Sequence, residues 1–451
     1  MDSSRIAETV IEQATAAGAD VELYLTAEKE TNVEVNQGEV AKFSFAGSKG
    51  LGVRVIRDGR MGYAYTSDFS PASVQRCTAQ ALDLAATADA DEFRRLPDPQ
   101  PIPDGALDAY DAAMRTLAAE DKIAFALQLE QATLQADPRV VMALKTLYLD
   151  SVGDVFLATS KGFSGSYQRS YAGGVVMALA ADGEERAMAM GVGIDNSFYR
   201  LDAQKIGREA GEQAARLLGG RPVPTQEATV VFSPIAGNAI IAAMAQALTA
   251  EAMQKNRSFL KGKMGQDVAS DRVTLLDNGR LRGGLNTRPF DDEGVPTGAT
   301  RLIDEGVLQA VLYDSYTAAR AGTKSSGNAS RDSHREPPRL APGNFYLQPG
   351  NITPQALMAG VEQGLYVVRT MNTHSINPVS GDFSVSAQGF WIEDGQLTTP
   401  VNEVTIAISL QQLLQNVSAV ADDLLFLPFD GAVGAPTFRV DGVMIGGQEG
   451  A

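Results

Sequence analysis

The sequence is poor in the two side chains that most often hold metals or relay protons near neutral pH. Among 451 residues there are two histidines, His334 and His374, and one cysteine, Cys77. A lone cysteine excludes an internal disulfide and fits a reducing compartment. Imidazole is the commonest near-neutral base and metal ligand, so its scarcity weighs against a self-contained hydrolase. Clustered positive charge is missing too. The formal net charge is −17, from 38 basic and 55 acidic residues, and no Lys/Arg run exceeds two. Such a chain is repelled by a phosphate backbone, so direct nucleic-acid binding is not expected. Long apolar runs are also lacking: the stretch 171–183, 13 residues around "AGGVVMALA", is too short to span a membrane. The opening "MDSSRIAETVIEQA" has no basic segment followed by an apolar core, so no secretory signal is expected. These absences together predict a soluble, cytoplasmic protein.

What is present is an ordinary globular balance, 44% hydrophobic and 21% charged, in a chain long enough for two or three domains. Residues 3–17 carry Ile6, Val10, Ile11 and Ala14 on one helical face and stop at Gly18. Short alternating segments follow: "VELYLTAE", then "TNVEVNQGEV" running into an Asn36–Gln37–Gly38 turn. "GVRVIRDGRMGYAYT" reads as a hairpin about Asp58–Gly59. In a helix predicted over 71–89, Cys77 falls in line with Val74, Ala81 and Leu84, as a small buried hydrophobe would. The four prolines of "RRLPDPQPIPDG" mark an extended connection. Helices over 120–136 and 202–218 flank four β-rich segments between 139 and 195. "GGRPVPTQ" is the best boundary, giving domains 1–220 and 226–451.

The second half opens with a strand at 229–232, a turn at Pro234, and a long helix pattern over 238–256. In that helix Ile240, Ile241, Met244, Leu248 and Ala252 form one apolar stripe. The remainder is β-rich, including "TRLIDEGVLQAVLYDSYTAARAG" as strand–turn–strand and "GFWIEDGQL" as a hairpin. The fold class is α+β: helices on a mostly antiparallel N-terminal sheet, then a predominantly β, barrel- or sandwich-like C-terminal domain.

Four stretches invite chemistry. "GSKGLG" (47–52) has the glycine density of a phosphate loop but leads into a strand, so a turn or bulge is the better reading. "FDDEGVPT" sets Asp291, Asp292 and Glu293 side by side, just before Thr297. Adjacent acids either face water or are held by cations and backbone donors. "SGNASRDSHREPPRLAPGNFYLQPG" (326–350) combines Arg331 and His334 with turn residues. The Arg331 fork suits either a peptide carboxylate or an internal acid such as Asp292. "MNTHSINPVSGDF" places His374, Ser375 and Asp382 close in sequence, but triads are defined by geometry, and no Gly-x-Ser-x-Gly elbow is present.

Taken in order, "FDDEGVPTGATRLIDEGVL", "SSGNASRDSHREPPRLAPGNFYLQPG", "GDFSVSAQGFWIEDGQLTTPVNEVTIA" and "GAPTFRVDGVMIGG" resemble the TldD/PmbA family of peptidases. "FLKGKMGQDVASDRVTLLDNG" and the N-terminal "VELYLTAEKETNVEVNQGEV" and "GLGVRVIRDGRMGYAY" are similar as well, so the resemblance covers nearly the whole chain. In the family's TldD branch a helix carries His-Glu-x-x-x-His, and a cysteine near the C-terminus completes a zinc site. Here the corresponding positions 241–246 read Ile-Ala-Ala-Met-Ala-Gln, and 422–436 contains no cysteine. The chain resembles instead the TldE (PmbA) branch, although Val385–Ser386 stands where an Arg-Gly pair is expected. That resemblance implies a subunit binding no cofactor of its own, paired with a TldD-type metalloprotease subunit that carries the zinc and acting on peptides and unfolded segments. Asp291, Asp292, Glu293, Thr297, Arg331, His334, His374 and Asp382 are the candidates for lining a substrate chamber. The alternatives are a homodimeric peptide-binding scaffold without catalysis, or a metal site built from the two histidines and nearby carboxylates. The family's older description as a DNA gyrase modulator fits an indirect role in a chain of this charge.

Overall fold

Alternating burial over long runs dictates the first layer. The computed structural model describes residues 3–428 and 431–447. Six strands, β1 (Asp20–Asn36), β2 (Glu39–Arg57), β3 (Arg60–Thr66), β4 (Val140–Thr159), β5 (Ser164–Asp182) and β6 (Glu185–Asp195), form one antiparallel sheet in the order β3-β2-β1-β4-β5-β6. Four helices, α1 (Ser3–Ala16), α2 (Pro71–Thr87), α3 (Ala119–Gln135) and α4 (Ala203–Arg216), cover one face. At one end Ile6 and Val10 of α1 and Val74 and Cys77 of α2 pack on Leu23, Leu51 and Val53. At the other, Phe125 and Leu129 of α3 and Ile206 and Ala210 of α4 pack on Val33, Tyr148 and Val176. Gly174 makes room there, since a Cβ on it would lie 2.7 Å from the Phe125 ring. The α3 side also buries an ion pair, Lys122–Asp150 at 2.7 Å, with the Tyr148 hydroxyl donating to the same carboxylate. Cys77 is part of this core, and burial pushes its thiol up to about 11.

Several local expectations are corrected. "VELYLTAE" and "TNVEVN" are one continuous strand, and the β-rich stretch 139–195 is three long strands and not four. "GSKGLG" is neither turn nor bulge. It lies inside β2, where Gly50 and Gly52 admit the His334 ring and the Tyr63 hydroxyl.

The second half is built from β7 (Gln226–Phe232), α5 (Pro234–Ala247), α6 (Ala250–Gln254), β8 (Leu275–Asn278), β9 (Ala299–Asp304), β10 (Val307–Leu308), α7 (Ser315–Ala321), β11 (Ala329–Ser330), β12 (Arg339–Leu340), β13 (Asn344–Leu347), α8 (Pro354–Ala359), β14 (Gln363–Met371), β15 (Asp382–Glu393), β16 (Gln396–Ser409), α9 (Leu410–Gln415), β17 (Val417–Val420), β18 (Leu425–Leu427), β19 (Ala432–Ala435) and β20 (Phe438–Gly446). Strands β16-β15-β14-β7-β20 close into a five-stranded barrel through β16–β20 pairing, and β17 adds to β20. A second sheet, β10-β9-β8-β13-β19-β18, lies beside it. One core joins barrel, α5 and second sheet. The expected second domain runs to residue 451; residues 429–430 and 448–451 of it lie outside the described residues.

The long helix expected at 238–256 differs in three respects. It begins at Pro234, a first-turn proline capped by Ser233, and not after a turn. It breaks at Leu248–Thr249, where Thr249 caps α6 and pairs with Leu312. It is also apolar nearly all round, as a helix enclosed by other elements must be. The expected strand–turn–strand of "TRLIDEG…TAARAG" is present as β9, the Glu305–Gly306 turn and the two-residue β10, but the end of the segment forms α7, with an Asp314–Thr317 capping box and Gly322 left-handed at its end. Among the described residues no helix is long and apolar enough to cross a membrane.

Candidate functional site

The acidic loop is buried. Asp291, Asp292 and Glu293 are each at most 3% exposed, at the contact between the open face of the N-terminal sheet and the C-terminal domain. Three adjacent carboxylates survive there because each has its own donors. Asp291 accepts from the backbone N–H of Glu293 (3.0 Å), Val295 (2.9 Å) and Ala329 (3.0 Å), which shapes the loop. Asp292 accepts from Arg331 N–H at 2.7 Å and pairs with Arg288 at 3.1 Å. Glu293 accepts from Arg54 at 2.8 Å and from Ser315 N–H at 2.9 Å. Arg54 also reaches Glu22 at 2.5 Å, and Glu22 takes the Arg331 guanidinium on its other oxygen. The chain of charges Glu293–Arg54–Glu22–Arg331 thus stitches loop to sheet to loop.

Aromatic groups close the network. The Arg331 guanidinium lies 5.0 Å from the Tyr24 ring centroid, and it donates to the Tyr63 hydroxyl at 3.2 Å. Tyr63 in turn donates to the His334 carbonyl at 2.8 Å. Thr297 is buried and donates to the Arg288 carbonyl. His334 is buried over Gly50, and its Nε2 has no hydrogen-bond partner among the described residues. Burial, then the Arg335 charge, lowers its pKa, which favours the neutral ring. Burial, then the Glu293 charge, raises Asp291 to about 8. Burial pushes Glu293 upward as well, but the Arg54 charge and the Ser315 donors outweigh it and leave the group below its ordinary value. Asp277, held by Asn328 and Gly343 at 2.7 Å each, is raised by burial to about 6.

Six of the eight candidate residues are therefore gathered: Asp291, Asp292, Glu293, Thr297, Arg331 and His334 belong to one internal constellation. His374 and Asp382 stand apart, exposed beside the barrel. They build no triad, since the Ser375 hydroxyl donates to backbone carbonyls of Asn372 and Ser384, and Asp382 accepts from Ser380 at 2.6 Å. Nor are the two histidines brought together, and among the described residues no group of three His, Cys, Asp or Glu side chains is placed to hold a metal. Glu22, Tyr24, Arg54, Tyr63 and Arg288 were missed in the sequence. The signal for Glu22 was a charge inside the apolar alternation of "VELYL".

At 241–246 of α5 the side chains facing the core are Ile241, Ala243, Met244 and Ala245, and only Gln246 is exposed. Aliphatic groups and a thioether are poor zinc donors, so this helix does not fit a zinc ion. Three family models match: PmbA/TldA metallopeptidase domain 1 over residues 21–85, the central domain over 114–218 and the C-terminal domain over 225–447. The chain belongs to the PmbA/TldD metallopeptidase family. The first two of those matches fall on a single hydrogen-bonded sheet. A metalloprotease PmbA homolog of Haemophilus influenzae is 30% identical over 92% of this chain and 90% of its own. Metalloprotease PmbA of Escherichia coli O157:H7 is 26% identical over 92% and 90%. In structure, TldE from Thermococcus kodakarensis superposes with a TM-score of 0.92 at 22% identity, covering 98% of this chain and all of that one (100%). That likeness shows a shared fold.

Proposed function

We propose that this PmbA/TldE-type chain is the subunit without metal in a two-component cytoplasmic zinc peptidase. A TldD-type subunit brings the zinc and the water-activating chemistry, and this chain helps enclose and position an unfolded peptide. The observation that carries the reading is the aliphatic surface of α5 at 241–246, where zinc donors would stand. The charge network of loops 290–297 and 326–339 supports it, by bracing the C-terminal domain against the sheet. The exposed His374 and Asp382 leave the 371–391 segment open to contact such a peptide. The single buried cysteine is consistent with a reducing compartment. The test is peptide cleavage by this chain alone, by its TldD-type partner alone, and by the mixture. Strong cleavage is expected only from the mixture, and equal rates with and without this chain would overturn the proposal.

A further inference from the structure

The helix layer leaves part of the N-terminal sheet bare. A trough of about 980 Å³ runs there, between the start of α1 and Phe69 on one side and residues 107–110 on the other. Its floor is made by residues 25–27 of β1, 154–156 of β4 and 166–168 of β5. Val21, Leu23 and Leu25 face α1 and α2, so Ala27 shares their face, the one opposite Glu22 and Tyr24. In register with Ala27, Lys49 stands on β2 and Asp154 on β4. One row across the sheet thus reads cation, methyl, carboxylate. Both charges have an open side. The Lys49 ammonium lies 5.2 Å from the Phe69 ring centroid, with no carboxylate in ion-pair distance among the described residues. Asp154 is held by Arg115 at 2.5 Å and by Gln168 at 2.8 Å, but both donate to its Oδ1. Its Oδ2 accepts no hydrogen bond among the described residues, and the side chain is 47% exposed.

We infer that this trough is a separate binding site for a short peptide with both ends free. Neighbouring strands lie about 4.8 Å apart, so the Cα atoms of Lys49 and Asp154 are separated by about 10 Å. An extended chain advances about 3.3–3.6 Å per residue, so a tripeptide spans that gap. Its carboxylate pairs with the Lys49 ammonium, and its N-terminal ammonium donates to Asp154 Oδ2. An apolar central side chain rests on Ala27, with Leu25 and Phe156 beside it. The small Ala27 side chain leaves room for this, where a larger one would fill the row. Opposite charges at matched spacing select for free termini, since blocking either end strands one of the two groups. The site lies on the helix side of the sheet, whereas the acidic loop and its partners pack against the other side. The inference follows from the spacing of the open charges and holds whether or not the chain works beside a metal-bearing subunit.

The experiment is calorimetric titration of the purified full chain with the tripeptide Ala-Leu-Ala at low ionic strength. Saturable binding with a Kd below about 1 mM is expected. Acetylating the N-terminus or amidating the C-terminus should each weaken it by about fivefold or more. The dipeptide Leu-Ala, shorter by about 3.5 Å, should bind less well. Two variants assign the ends. Lys49→Met should bind the free acid and the amide alike while still discriminating against the acetylated peptide, and Asp154→Asn should do the reverse. Ala27→Leu, at an exposed position, should fill the row and abolish binding with an unchanged melting temperature. Absence of saturable binding, indifference to blocking of either end, or end effects that persist in the matching variant would each overturn the inference. None of these outcomes bears on cleavage by the mixture with a TldD-type subunit, so the two proposals fail separately.

Discussion

Replacing Arg54 by methionine keeps the volume of a buried side chain and removes its charge. Among the described residues Arg54 is the sole ion-pair partner of Glu293 and one of two for Glu22, and all four groups of that chain are nearly inaccessible to water. Glu22 retains Arg331, so the damage falls on Glu293, which is left with the Ser315 N–H and a nearby Asp291. Stranding a buried charge in this way costs about 3–5 kcal/mol. Unfolding entropy is about 2 cal/mol/K per residue, so if the 451 residues melt as one unit, about 4 kcal/mol corresponds to a fall in Tm of about 4 °C. The pH dependence gives the sharper test. In the wild type Glu293 is depressed, so its contribution is present above the unfolded pKa and fades as pH falls through the folded value. Without Arg54 the folded pKa rises above the unfolded one, and the penalty is largest at neutral pH and relieved by protonation. Calorimetry from about pH 7.5 to about pH 5 should therefore show the two melting temperatures converging. A deficit below about 1 °C, or one that stays constant or widens toward acid, would refute the reasoning.

Two further substitutions probe the close contacts. Gly50→Ala places a methyl 2.0–2.3 Å from atoms of the His334 ring and should cost about 1–3 kcal/mol in urea unfolding. His334→Ala in the same chain should return most of that loss. Met244→Ala opens a hole in the middle of α5, where the side chain is fully buried, and should lower stability by about 2–5 kcal/mol while leaving the circular dichroism spectrum unchanged.

Wherever the decisive contacts are local, the sequence announced them. The hairpins at Asp58–Gly59 and Asp394–Gly395 have both residues at positive φ, and "DG" is the dipeptide that tolerates this. The four helices over the N-terminal sheet follow from apolar spacing alone. Other signals were present but outweighed: the Asp314–Thr317 box and Gly322 mark α7, yet the flanking "VLQAVLY" reads as strand. The acidic loop was ambiguous for a different reason. Its cation partner Arg54, shared with Glu22, lies 239 residues away, so no local pattern distinguishes a buried ion network from a wet turn. The glycines of "GSKGLG" misled for the same reason, because what they accommodate comes from His334 and Tyr63.

The distance along the chain between Glu22 and Arg331, 309 residues, has a consequence for biosynthesis. When the first sheet has left the ribosome, Glu22 and Arg54 can meet each other, but the guanidinium that completes their neutralisation has yet to be translated. Tyr24 and its neighbours must remain wet until then. The contact between the two halves therefore closes only after residue 331 has emerged, and a chain truncated before it should hold its sheet but never seal it.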